Sequence, residues 1–157
     1  MYVKDPDKIS FKNSLKQFCQ HTIEKRIAAA KDTIENVQES ANNEEKSSAG
    51  DKYETSRAMG HLQKDMHARQ LTAYLKELAV LHSVNTGVIY HTACAGAFIE
   101  ANTALFFIAA GLGKQTIEGK IIFFLSPHAP LAGILQNKKK GDGFVFGKST
   151  LVITTVY

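Results

Sequence analysis

The chain has no tryptophan, two cysteines and three prolines among 157 residues. Cys19 and Cys94 are far apart and belong to no paired spacing. That excludes a disulfide framework and a Cys-x-x-Cys metal or redox motif, and leaves a reduced, cytoplasmic protein as the expectation. No apolar run approaches the ~18 residues of a membrane helix. The opening MYVKDPDKISFK lacks the apolar core of a signal peptide. Charge of one sign is not in large excess, since the formal net charge is +4. Such a balance permits an anionic partner without requiring nucleic acid. Before His82 the only proline is Pro6 and glycine is scarce; after Gly87 glycines and β-formers are frequent.

Apolar residues make up 44% of the chain, enough for a core. The first half reads as helix. An N-cap at Ser10 precedes a stripe of Phe11, Leu15, Phe18, Ile23, Ile27, Ala30, Ile34, Val37 and Ala41. From Ile23 the steps are 4, 3, 4, 3 and 4, a heptad seam. A second run gives Met59, Leu62, Met66, Leu71, Leu75 and Leu78. Each run has one step of five, Phe18 to Ile23 and Met66 to Leu71, at comparable distances from Lys46. Matched breaks suit two antiparallel helices in register. The pattern predicts a hairpin with arms from Phe11 to about Asn42 and from about Asp51 to Leu81, with Ile27, Ile34, Val37, Met59, Leu62 and Met66 on the shared seam.

Between the arms lies SANNEEKSSAGDKYETSRAM, residues 40–59. Glu39, Glu44, Glu45, Asp51 and Glu54 are five of the fifteen acids, gathered within residues 39–54. Two readings stay open. A solvated loop would use Gly50 to turn the chain and Asp51 to cap the second helix. A working tip would hold the carboxylates together for a cation or a basic surface, because unmet like charges repel.

The second half reads as strands. VIYHT (88–92), TALFFIAA (103–110) and IIFFL (121–125) have β-branched and aromatic content. PHAPLAGIL (127–135) reads as a short helix with Ser126 as cap and Pro127 at its first position. KKKGDGF makes a turn, and Phe144–Phe146 with Leu151–Tyr157 forms a hairpin around GKST. The fold class expected is α+β: a coiled-coil hairpin over 1–83, its acidic tip near 43–54, then a small domain with an antiparallel sheet over 84–157.

The segment GKIIFFLSPHAPLAGILQNKKKGDGFVF resembles the C-terminal signature of the Gre-type transcription elongation factors. A strand leads into Ser126-Pro127, then Pro130 to Ala132 in a short helix, then Lys138, Lys139, Lys140, Gly141 and Asp142. The resemblance is clear over about 117–146 and architectural elsewhere. It implies an FKBP-like C-terminal domain without isomerase activity, and an antiparallel coiled coil before it. It further implies binding to bacterial RNA polymerase, with the coiled coil in the secondary channel. There the tip acids share Mg²⁺ with the polymerase and stimulate cleavage of backtracked RNA, so the RNA 3′ end is met only indirectly. No cofactor would be bound stably, and the protein would complete another enzyme's site. Ser126, Pro127, Lys138, Lys139, Lys140 and Asp142 become partner-binding candidates.

The tip departs from the family pattern. Gly50, Asp51 and Glu54 keep a Gly-Asp-x-x-Glu spacing, but Thr55 and Ser56 stand where Asn-x-Glu-Tyr would begin. An alternative alignment through Tyr53 and Arg57 puts Lys46 and Ala49 at the acid positions and leaves Glu44 and Glu45 as substitutes. Asp51 and Glu54 are the favoured catalytic and metal-holding candidates. The alternatives are a non-cleaving channel regulator and a coiled-coil adaptor for another protein. A monomer is expected, with no membrane partner and no sequence-specific nucleic-acid binding of its own. His61 and His67, or Cys19 and His21, are spaced too poorly for joint metal ligation, and His82, His91 and His128 form no motif.

Overall fold

The computed structural model describes residues 5–47 and 51–157; the side chains of residues 41–47, 51–54, 56 and 57 lie outside the description. Helix α1 spans Asp5–Ser47 and α2 spans Asp51–Ser83. Strands β1 (Phe98–Ala101), β2 (Leu105–Ile108), β3 (Gly113–Ile117) and β4 (Lys120–Leu125) precede α3 (Pro130–Leu135), and β5 (Gly143–Phe146) and β6 (Ser149–Val156) follow it. The α+β class holds, with the long helices first and the sheet after. Two compact units divide the chain: residues 1–20 with 79–157, and residues 21–78.

α1 starts five residues before the expected Ser10 cap. Asp5 and Asp7 stand in its first turn, where carboxylates meet the positive end of the helix dipole, and Pro6 tolerates a first-turn position that lacks a donor partner. Its buried line runs Leu15, Cys19, Ile23, Ile27 and Ala30. It passes through Cys19 instead of Phe18, so the five-residue break disappears.

In the 21–78 unit the expected α2 seam is corrected. Met59, Leu62 and Met66 are 61%, 65% and 60% exposed. The half-buried line is Gly60, Lys64, His67, Leu71, Tyr74 and Leu78, with steps of 4, 3, 4, 3 and 4. A heptad is there, and Leu71 and Leu78 of the expected run lie on it, but before Leu71 it passes through Gly60, Lys64 and His67, and Lys64 Nζ donates to Gln38 Oε1 of α1 at 2.7 Å. Before Leu71, apolarity alone picked the wrong face.

The six strands form one sheet in the order β3-β4-β2-β1-β6-β5. It is mixed, not purely antiparallel, because β2 pairs parallel with β4 while β3 folds back along the outside of β4. The β3–β4 turn is the two-residue loop Glu118-Gly119, both at positive φ (50° and 79°), as a type I′ hairpin requires. Val88–Thr92, expected as a strand, is irregular. α3 begins three residues later than expected: Pro130 takes the first turn behind Ala129, while Ser126 builds the preceding turn through Ala129 N–H to Ser126 O at 3.0 Å.

Each sheet face carries an aromatic layer. Phe106, Phe123, Phe144 and Phe146 pack ring to ring on the α3 side, with Leu135, Ile99, Ile108 and Ile153 around them. Phe98, Phe107, Phe124 and Tyr157 form the other layer, met by Phe11 and Phe18 of α1. A fragment starting at residue 84 would uncover that second layer. The first turns of α1 therefore belong to the core of the sheet unit.

One glycine is fixed by two constraints. Gly96 has φ +93°, and a Cβ there would lie 2.3 Å from the Asn85 carbonyl oxygen. Gly96→Ala is expected to lower unfolding stability by at least about 2 kcal/mol. Gly133→Ala, in α3 with nothing within 4 Å of the new methyl, should raise it by about 0.5–1 kcal/mol. Urea unfolding of both variants checks this, and a neutral Gly96→Ala contradicts it.

Candidate functional site

Three places carry candidate chemistry, and the sequence points to two of them. At the helix junction, Glu44 and Glu45 lie in the last turn of α1, and Asp51 and Glu54 in the first turn of α2. The side chains of all four, and Gly50 entirely, fall outside the described residues. The backbone thus places the acid cluster where one long helix gives way to the other.

At the second place, the turn after α3, structure accounts for most of the signature. Asp142 Oδ2 accepts from the Lys139 amide at 2.9 Å, and the Asp142 amide donates to Lys139 O at 3.0 Å. Gly141, at φ +96°, takes the third position of that turn, where a side chain would be strained. Asp142 O and the Gly141 amide continue the pairing with Ile153 at 2.9 and 2.8 Å. Lys138 O accepts from Ala93 at 2.7 Å. The side chains of Lys139 and Lys140 are left exposed and Lys138 is half-buried. Ser126 Oγ accepts from the His128 amide at 3.2 Å, within the turn that leads to α3. Ser126-Pro127 and Lys138–Asp142 therefore flank α3 as two ordered turns.

The third place was not read from the sequence. Lys12 is fully buried. Its ammonium donates to Val88 O at 2.6 Å and Gly96 O at 3.1 Å, and sits 4.7 Å from the centre of the Tyr90 ring. Lys16 Nζ reaches Val84 O at 2.6 Å, and Thr86 Oγ1 donates to Asn13 Oδ1 at 2.6 Å. Three neighbouring residues of α1 thus hold the irregular connector between α2 and β1. Burial pushes the Lys12 ammonium down to about 8, with the nearby Cys94 sulfur opposing the fall. Burial pushes the Cys94 thiol up, against the pull of Lys12, and Tyr90 is raised chiefly by burial. A thiol held protonated is a poor nucleophile, so this cluster works as a clasp. Lys12 lies on the line that continues as Leu15 and Cys19, and a lysine on a buried line was the signal available in the sequence.

Among the described residues no group of three His, Cys, Asp or Glu side chains is placed to hold a metal ion, and Cys19 and Cys94 form no disulfide. Among them, too, no helix is long and apolar enough to cross a membrane. Comparison with protein-family models, curated proteins and solved structures returned no match.

The clasp has a pH signature. Lys12 in the folded chain releases its proton near pH 8, whereas in the unfolded chain it keeps it to its ordinary value of 10.5. The unfolded state binds more protons between those values, so Lys12 adds stability as pH rises through that window. The raised Cys94 and Tyr157 groups act in the opposite sense. Comparison with Lys12→Met isolates the lysine. From about pH 7 to 10.5 the stability difference should shift toward the parent by on the order of 3 kcal/mol. A pH-independent difference in chemical denaturation contradicts the assignment.

Proposed function

We propose that this chain is a Gre-type elongation factor that binds bacterial RNA polymerase and stimulates transcript cleavage in backtracked complexes. The observation that carries the reading is the coincidence of the acid cluster with the junction of two long helices. α1 ends at Ser47, α2 starts at Asp51, and residues 21–78 form a unit containing only those helices. At 1.5 Å per residue the 33 residues of α2 reach about 50 Å. A carboxylate on such an arm enters a channel that a globular surface could not.

In this reading the helices form an antiparallel coiled-coil hairpin over 1–83, and 84–157 is an FKBP-like variant with a mixed sheet. The protein is a cytoplasmic accessory factor, not an enzyme alone. Lys138, Lys139 and Lys140 beside the Asp142 turn, with Ser126-Pro127 on the other side of α3, meet the channel rim. Carboxylate oxygens are the hard donors that Mg²⁺ takes, and one or two suffice when another macromolecule supplies the rest. Asp51 and Glu54 would hold an ion shared with the polymerase. When bound there, it supplies charge stabilisation for phosphodiester hydrolysis.

The test uses the whole chain, because α1 closes the sheet unit. Asp51→Asn with Glu54→Gln should abolish stimulated cleavage of backtracked complexes and leave polymerase binding within about threefold, since Asn replaces Asp at a helix start at little cost. Glu44→Gln with Glu45→Gln should matter less. If the parent protein binds polymerase but never stimulates cleavage, it is a non-cleaving channel regulator. If it does not bind polymerase, the helices serve as an adaptor for another partner.

A further inference from the structure

We infer that the outward face of α2 is a self-complementary surface on which a second copy of this chain docks, with the two α2 helices antiparallel. On α1 the exposed positions from His21 to Ser40 carry only polar residues and alanine, Glu24, Lys31, Asp32 and Glu35 among them. α2 differs. Met59, Leu62 and Met66 are exposed and follow one another at steps of three and four, which keeps them on one line of the helix. They are separate from the half-buried line that runs through Gly60, Lys64 and His67. A solvated helix gains nothing from such a ridge, and methionine is the side chain best able to adapt to an apolar partner.

What identifies the partner is the half of α2 that follows. There a shallow groove is lined by Asp65, Ala68, Arg69, Thr72, Ala73 and Lys76. Among the described residues of α2, three exposed large apolar side chains lie before His67, and one, Leu75 at 46% exposure, lies after it. Asp65 and Arg69 flank His67 at equal distances, and both are exposed. An antiparallel pairing centred on His67 sets Asp65 opposite Arg69 of the second copy, and Leu62 opposite its Thr72. Symmetry makes each pairing occur twice, as an isologous interface requires. A parallel pairing would set Asp65 against Asp65 and Arg69 against Arg69. Charge thus selects the antiparallel register. Burial of Met59, Leu62 and Met66 supplies the affinity, while the exposed charges fix the register.

The inference does not depend on the proposed function. Sedimentation equilibrium on the full chain, from about 5 to about 500 µM, should show a reversible monomer–dimer equilibrium with Kd in the tens of micromolar, as befits a small interface. Leu62→Glu with Met66→Glu should weaken it at least about tenfold. Asp65→Arg alone, or Arg69→Asp alone, should weaken it about three- to tenfold, and the two together should restore it to within about twofold, because the swap recreates complementarity. These positions are exposed, so helicity by circular dichroism should not change. A monomer throughout the range overturns the inference. So does a dimer indifferent to Leu62→Glu with Met66→Glu, or a double charge swap no tighter than its singles.

Discussion

A buried ammonium whose hydrogen-bond partners are main-chain carbonyls constrains everything around it. Lys12 cannot be left dry and unpaired without a large cost, so the connector must bring two oxygens to it from positions eight residues apart, Val88 and Gly96. Delivering the second oxygen runs the backbone at Gly96 against Asn85, which only glycine permits. Tyr90, whose hydroxyl is tied to the Asn85 carbonyl at 2.9 Å, lays its ring beside the charge. With the connector pinned, β1 starts where Phe98 meets Phe11, and the sheet has its second aromatic layer.

How much was legible in the sequence follows from what each residue signals. The short apolar strand β4, the terminal hairpin of β5 and β6, and the split between helix and sheet all rest on local composition, and all are present. The face of α2 before Leu71 was misread because periodicity was counted on large apolar residues. The half-buried line contains glycine, lysine and histidine, while Met59, Leu62 and Met66 face outward. β1 and β3 were missed for different reasons. FIEA is too short to alternate visibly, and GKQTI is polar because it lies at the sheet edge, where one flank stays wet. The parallel β2–β4 pair is a long-range choice that no local window contains. Lys12 was passed over because a lysine between apolar residues looks like a surface position until its contacts are known.

The residues after α3 show how a sequence signature and a functional site come apart. Gly141 and Asp142 meet the demands of a tight turn completely, one by its φ and the other by its carboxylate on the Lys139 amide. Any chain building this turn gains from the same pair, with or without a partner. The exposed Lys139 and Lys140 side chains serve no such internal need. The weight of the functional reading accordingly falls on the acid cluster at the helix junction.

The sharing of α1 between two compact units has a consequence for synthesis. Phe18 is made 106 residues before Phe124, against which it packs, and Phe98 must await Tyr157. At synthesis rates of about 5–20 residues per second the first of these delays is on the order of ten seconds. Local helix can form in microseconds, so residues 21–78 can be helical long before the sheet exists. Throughout that interval Phe11, Leu15, Phe18 and Cys19 wait in water on a finished helix. The nascent chain therefore presents a sticky helical end to the ribosome surface and to chaperones until β6 emerges and the sheet closes over it.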